Sequence, residues 1–416
     1  SEAGMTKWCG LGAGALLMLS GCGGSTISQD AQSVDVPATN AAESGDTSAD
    51  TPPANTPPGD TPPVDPGGSG TPPSSGAISV TVPASYYDPG GTVIYADEPT
   101  MRQIRDASPG DVLLFEPGEH DRIDIDDFVS TECDPLVLTS LDPENPAVIK
   151  NSTIPGWEAL GIGNSEYVVI ENLIVEGGLS GILIQGSSHV IVTRSEIRLT
   201  NHSGLAVNSR SQHVDFIGNV IHDTGQSEPK WGEGIYLGTA AAKDDNDITT
   251  HVWIEGNEIY NTGFGEAVDM KGGVRFSTVR ANHVHDIRLG IENGQTNEAA
   301  IVMGYSSAEP AHNWVEYNLV EDVSWGGGGE AGRPNVGASG IAAFGGGNYL
   351  HNNTITNVLE YGVYFNGFGD PGFFVYEWDN SVSNAGYEDY RGNLDSLTRS
   401  DPGITNPNQR QSWCSN

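Results

Sequence analysis

Between Tyr167 and about Gly369 the chain repeats one unit, and that repeat limits the folds open to it more than any other feature. Each repeat carries two short apolar strands. One reads Asn-x-(Ile/Val), at Asn172, Asn219, Asn257, Asn282, Asn318 and Asn353, with Ser195 replacing Asn once. The other reads small-apolar-x-apolar: SGILI from Ser180, SGLAV from Ser203, EGIYL from Glu233, EAVDM from Glu266, SGIAA from Ser339 and YGVYF from Tyr361. The shortest spacings are 23 residues, from Ser180 to Ser203, and 25, from Asn257 to Asn282. That is one coil of a parallel β-helix. Asn at a fixed corner can stack its amide on the next coil's amide, and Gly tolerates the bend before the second strand.

The flanks read differently. Residues 1–4 read as an expression remnant ahead of Met5. From Met5 the chain resembles a bacterial lipoprotein signal: Lys7, an apolar run from Leu11 to Leu19, then Leu19-Ser20-Gly21-Cys22. The run is too short to span a bilayer. The resemblance implies lipidation at Cys22, and Gly23 rather than Asp after it implies the outer membrane, on its cell-surface or periplasmic face. Residues 23–77 hold seven acidic residues, no Lys or Arg, and Thr-Pro-Pro at Thr51, Thr56, Thr61 and Thr71. Such a segment is expected to be an extended tether. Domain boundaries are therefore placed at 78–380 for the β-helix and 381–416 for an irregular tail that packs on or caps it.

Between 78 and 416 there are 47 acidic and 17 basic residues. This excess excludes nucleic acid and anionic membrane surfaces as general partners. Cys9 leaves with the signal and Cys22 is lipidated. Cys133 and Cys414 remain, and a disulfide or two buried thiols are both open. Residues 97–107 read as a short amphipathic helix with Met101, Ile104 and Ala107 on one face, capping the first coil's open edge.

One rung is charged. In EAVDMK, alternation points Val268 and Met270 inward and Asp269 and Lys271 outward. Longer insertions at 223–232, 286–297 and 322–338 flank the short turn 261–265 and are expected to wall a groove over this rung. Glu233 and Glu266 share one position on neighbouring coils, and Glu298 falls within one residue of it. Coils stack ~4.8 Å apart, so these carboxylates repel unless a cation lies between them. A Ca²⁺ held by Glu233, Glu266, Asp269 and Glu298 answers that; splaying into solvent is the alternative. His222, Tyr260 and His285 form an outward column on the Asn strand, with His283 as companion, and could supply a proton donor or base. Arg288, Lys230 and Arg333 in the wall loops could hold a carboxylate, and Trp231, Trp325 and Tyr236 could stack on sugar rings. The acidic run Asp244–Asp247 reads as a solvated turn.

The stretch from Val252 to Asp286, with VWIEGNEIY, GEAVDMKGG and STVRANHVHD, resembles right-handed parallel β-helix polysaccharide lyases. The resemblance spans residues 80–380. Pectate lyases carry a similar succession of strands. Alginate lyases and chondroitinase B place a metal-binding Glu five residues before a catalytic Lys, the spacing of Glu266 to Lys271. The pectate lyase Arg-x-Pro-x-x-Arg signature is absent, and Arg288 is the nearest match to the Arg that alginate-type lyases place after the Lys. The resemblance implies a right-handed β-helix and β-elimination at a uronic acid. In that chemistry Ca²⁺ and Arg288 neutralise the C6 carboxylate, Lys271 is the base with a lowered pKa, and His285 or Tyr260 protonates the leaving oxygen. The expected partner is a uronate-containing polysaccharide, met by a monomer whose membrane contact is through the lipid alone. A β-helix glycoside hydrolase using Glu233 and Asp269, and a non-catalytic glycan-binding adhesin, are the alternatives.

Overall fold

The computed structural model describes residues 79–416, apart from 97–99, 152–155, 240–246, 293–294, 297–298, 305–309, 328–337, 345, 366–374, 393–396, 411–412 and 414–416. The signal, Cys22, the tether, Asp244–Asn246, Glu298, Arg333 and Cys414 lie outside the described residues. Those described are almost entirely β. Three parallel sheets of 12, 12 and 10 strands run the length of a right-handed β-helix. One coil shows the path: Thr250–Glu255 in sheet I, Glu258–Tyr260 in sheet II, Val268–Met270 in sheet III.

Register carries from coil to coil along sheet III, so like positions form columns. Ile182, Leu205, Ile235, Val268, Ile301, Ile341 and Val363 pair in succession on sheet III, all fully buried. Each buried aliphatic side chain is worth about 1.5–3 kcal/mol. The six-residue helix Thr100–Arg105 closes the N-terminal end, with Ile104 in the core and Ala107 packed against it.

The corner between sheets I and II explains the Asn pattern. A residue with positive φ comes first, for example Gly218, Gly256, Ala281, Tyr317, Asn352 and Asp379. The next residue is then Asn219, Asn257, Asn282, Asn318, Asn353 or Asn380, and the side chains of these six form a chain. Each Nδ2 donates to the next Oδ1 at 2.9–3.0 Å, from Asn219 through to Asn380. The same Oδ1 also accepts the backbone N–H of the preceding coil's Asn, as in Asn257 N to Asn282 Oδ1 at 2.9 Å. An L-residue in the left-handed region costs roughly 1–2 kcal/mol, and the buried ladder offsets it.

Asn172 is not part of this ladder. It is the positive-φ residue itself, and Leu173 occupies the ladder position, its N–H donating to Ser195 Oγ at 3.2 Å. Two shorter runs at the sheet III–sheet I corner, Ser165–Ser187–Ser211 and Ser277–Asn313–Asn348, each backbone N–H donating to the next side-chain oxygen, are absent from the sequence reading.

The three-sheet pattern also runs past residue 380. Ser381–Ser383, Glu388–Gly392 and Leu397–Thr398 add strands to sheets II, III and I. Only then does the chain turn back along sheet I. There Asn406 Nδ2 donates to Thr278 Oγ1 at 3.1 Å, and Arg410 lies 3.9 Å from both Asp215 and Glu255. Burial pushes Asp215 up to about 8, partly countered by Arg410 and reinforced by Glu255. Cys133 is half of a disulfide. No described helix is long and apolar enough to cross a membrane.

Replacing Asn282 by Ala leaves buried donors and acceptors on two neighbouring coils without partners. Equilibrium denaturation should show a loss of about 2–4 kcal/mol; a change under about 0.5 kcal/mol would remove the ladder's stabilising role.

Candidate functional site

Sheet III carries the charged rung. Ile235–Leu237 pairs with Val268–Met270, so Tyr236 stands directly opposite Asp269 on the outer face, while Val268 and Met270 are fully buried in the core. Glu233 and Glu266 enter these two strands at the same level. Gly234 N–H donates to the Glu266 carbonyl at 2.9 Å, and Gly204 N–H to the Glu233 carbonyl at 2.8 Å. Gly265 permits the close stacking, since a Cβ there would lie 2.5 Å from the Glu233 nitrogen. The next coil's residue at this position is Ala299, in register with Ser339. Glu298, one residue before Ala299 in the sequence, lies outside the described residues.

Glu233, Glu266 and Asp269 are all buried, and each offers an oxygen within 4.8 Å of the others. Lys271 Nζ forms an ion pair with Asp269 Oδ2 and lies 5.3 Å from the Tyr236 ring centroid. Lys230, in the short 3₁₀ turn Pro229–Trp231, is buried with its Nζ 4.4 Å over the Trp231 ring, and its charge acts on Glu233. Glu266 Oε2 has no hydrogen-bond partner among the described residues.

The electrostatics follow from burial. Desolvation, with Asp269 adding to it and Lys271 opposing, pushes Glu233 up to about 7. The same influences, with Glu233 as a further like charge, hold Glu266 well above the carboxylate range. Burial works to lower Lys271, but Asp269, Glu266 and Tyr236 outweigh it and the net shift is upward. The protein's own groups therefore favour the ammonium form of Lys271, and a bound Ca²⁺ would act in the opposite direction. A divalent cation fits the donor set. Three buried carboxylates with a partnerless oxygen form an all-oxygen cradle of the kind Ca²⁺ takes.

Other expected groups lie elsewhere. His222, Tyr260 and His285 do stack, with ring centroids 4.8 and 5.0 Å apart, but on sheet II. Their partners are Glu196, Asp223, Glu258 and Asp286. Among the described residues no hydrogen bond or ion pair joins them to Lys271 or the three carboxylates. Arg288 is exposed on Ile287–Glu292 and likewise has no such link to the carboxylates. The wall segments are more regular than loops: Ile287–Glu292 pairs in parallel with Leu319–Gly327, extending sheet II. Trp231 is exposed at the rim, whereas Trp325 packs against the core and hydrogen-bonds Glu360.

Sequence reasoning missed Glu360. It is buried beside Trp325 with Oε2 unpartnered among the described residues, and burial lifts it to about 7. It stands one residue before the Tyr361 repeat, outside the small-apolar-x-apolar strand pattern, so that pattern did not mark it.

Residues 140–320 match the protein family described as "Right handed beta helix region". No curated protein matches the chain in sequence. Among solved structures, an alginate lyase from Paenibacillus sp. str. FPU-7 is similar over 74% of this chain and 99% of its own, with TM-score 0.56 and 21% identity. Pectate lyase Pel9A is similar over 70% of this chain and 72% of its own, with TM-score 0.48 and 12% identity.

Glu233 binds its proton more tightly folded than unfolded. Its contribution to stability is therefore full below the ordinary value of 4.5 and is lost as pH rises through about 7. The melting temperature of the cation-free protein should fall between about pH 5 and about pH 8, and Ca²⁺ should raise it more at the higher pH. Glu233→Gln should flatten this dependence; an unchanged profile in that variant would contradict the assignment. The same arrangement predicts that Glu266→Gln weakens Ca²⁺ binding measured calorimetrically by at least about tenfold. The family match, the structural similarity and the three stacked sheets together show that the chain carries a right-handed parallel β-helix.

Proposed function

We propose that the chain is a polysaccharide lyase that cleaves a uronic-acid-containing glycan by β-elimination in the groove over Tyr236, Asp269 and Lys271. One observation carries this reading: an ammonium ion and a phenol ring stand side by side above three buried carboxylates. A proton donor, a proton acceptor and a cation cradle therefore converge on one outer face. An alginate lyase with the same fold supports the substrate class.

Elimination takes the proton from C5, forms the C4=C5 double bond and breaks the bond between C4 and the glycosidic oxygen, which gains a proton. A Ca²⁺ held by Glu233, Glu266 and Asp269 would neutralise the C6 carboxylate and so acidify the C5 proton. The side chains do the proton transfers. Lys271, kept charged by Asp269 and Glu266, is assigned the donor to the leaving oxygen rather than the base. Tyr236 is assigned the acceptor at C5, since its ring lies 5.3 Å from the Lys271 ammonium on the same outer face. Lys230 and Trp231 border the groove, one as a positive charge and the other as a flat apolar face. Arg288 remains the proposed partner for a substrate carboxylate further along. On the same reading, lipidated Cys22 tethers the enzyme to the outer membrane.

A glycoside hydrolase is the second reading, favoured by Glu233 at about 7 beside Asp269, an acid next to a carboxylate. Ultraviolet absorbance of the new double bond, followed on alginate, pectate and glycosaminoglycans with and without chelator, separates the readings. The lyase predicts absorbance that chelator abolishes. Reducing ends without absorbance indicate the hydrolase, and binding without product indicates an adhesin. Lys271→Ala and Tyr236→Phe should each lower kcat by about 10²–10⁴; full activity in either variant removes that residue's assigned role.

A further inference from the structure

We infer that His283, His285 and Glu258, completed by Glu321, form a second cation site on sheet II, suited to a borderline transition metal such as Zn²⁺. The inference is independent of the lyase reading, since it uses another sheet and other residues. His283 and His285 alternate with fully buried Val284, so both imidazoles leave the same outer face of one strand. Their ring centroids are 4.3 Å apart. Glu258 on the preceding coil stands in register with His283, and its Oε1 lies 3.2 Å from His285 Nε2. Glu321 on the following coil brings Oε1 to 2.8 Å from His283 Nε2. The ligand atoms of Glu258, His283 and His285 lie within 4.8 Å of one another. Two imidazoles and the Glu258 carboxylate thus converge, with Glu321 of the following coil beside His283.

The surroundings of His285 are those of a ligand. Asp286 Oδ2 lies 2.9 Å from Nδ1 while Glu258 faces Nε2. A neutral imidazole has one N–H, so one of these two contacts sets acceptor against acceptor unless a positive charge intervenes. A carboxylate on Nδ1 fixes the tautomer that leaves the Nε2 lone pair for a metal, the usual outer-shell arrangement at metal-bound histidines. His222 supplies an internal comparison. It has the same neighbours, Asp223 at 2.8 Å on Nδ1 and Glu196 at 3.1 Å on Nε2. Its strand companion, however, is Val220, the register counterpart of Glu258 and His283 on later coils. That coil therefore has one imidazole where this one has two. A mixed nitrogen–oxygen set favours Zn²⁺, Ni²⁺ or Cu²⁺, whereas the all-oxygen cradle on sheet III favours Ca²⁺. The two sites are chemically distinct.

The test is calorimetric titration of the full chain with Zn²⁺ in excess Ca²⁺, with Co²⁺ visible absorption reporting nitrogen ligation. One equivalent of Zn²⁺ should bind. His283→Ala and His285→Ala should each abolish the Co²⁺ band, Asp286→Asn should weaken Zn²⁺ binding by about 10–100-fold, and His222→Ala should leave it unchanged. Retained Ca²⁺ binding in the histidine variants shows that they are folded. Three results would overturn the site: absence of Zn²⁺ binding, affinity unchanged in the His283→Ala/His285→Ala double variant, or loss of Zn²⁺ on Glu266→Gln instead.

Discussion

Everything in this molecule depends on coils stacking in register at the ~4.8 Å spacing of parallel strands. The corner amide ladder from Asn219 to Asn380 holds that register, because each side chain ties its own coil to the next. A slip by one residue would break every rung and turn the aliphatic columns outward. Register therefore fixes what faces solvent as firmly as what fills the core. Tyr236 and Asp269 meet because Ile235 meets Val268.

The same stacking creates the electrostatic conflict at the charged rung. Side chains at one position on adjacent coils cannot avoid one another, and Glu233, Glu266 and Asp269 are buried as well as close. The protein answers part of this with Lys271 and Lys230, and part by holding the two Glu carboxyls toward their neutral forms. Both answers cost stability near neutral pH, and a structural role would be met better by an apolar residue, as Ala299 shows on the following coil. Retained frustration of this kind is characteristic of functional sites. On sheet II the conflict is milder, since histidines alternate with the carboxylates and more of each group reaches water.

Much of this was legible in the sequence because a parallel β-helix repeats one local rule. The spacing of the Asn and small-apolar strands located the coils, and alternation oriented Val268, Asp269 and Met270 correctly. The misreadings have physical causes. Asn suits both the left-handed corner residue and the ladder position after it, so Asn172 looked like a rung when Leu173 holds that place. Stacked His222, Tyr260 and His285 were recognised as a column, but which groove a column serves depends on the angle between sheets, and no local pattern encodes it. The protonation of Lys271 depends on three neighbours from two coils, which no local pattern encodes.

The central claim is that the buried carboxylates of sheet III hold a cation and present a glycan to Tyr236 and Lys271. A crystal structure of the Lys271→Ala variant with Ca²⁺ and a uronate oligosaccharide tests it most directly. The account predicts a cation bound by Glu233, Glu266 and Asp269, with a sugar carboxylate on the cation and C5 facing the Tyr236 oxygen. A glycan seated on another sheet, or one held over this rung with the carboxylates empty of metal, would contradict it.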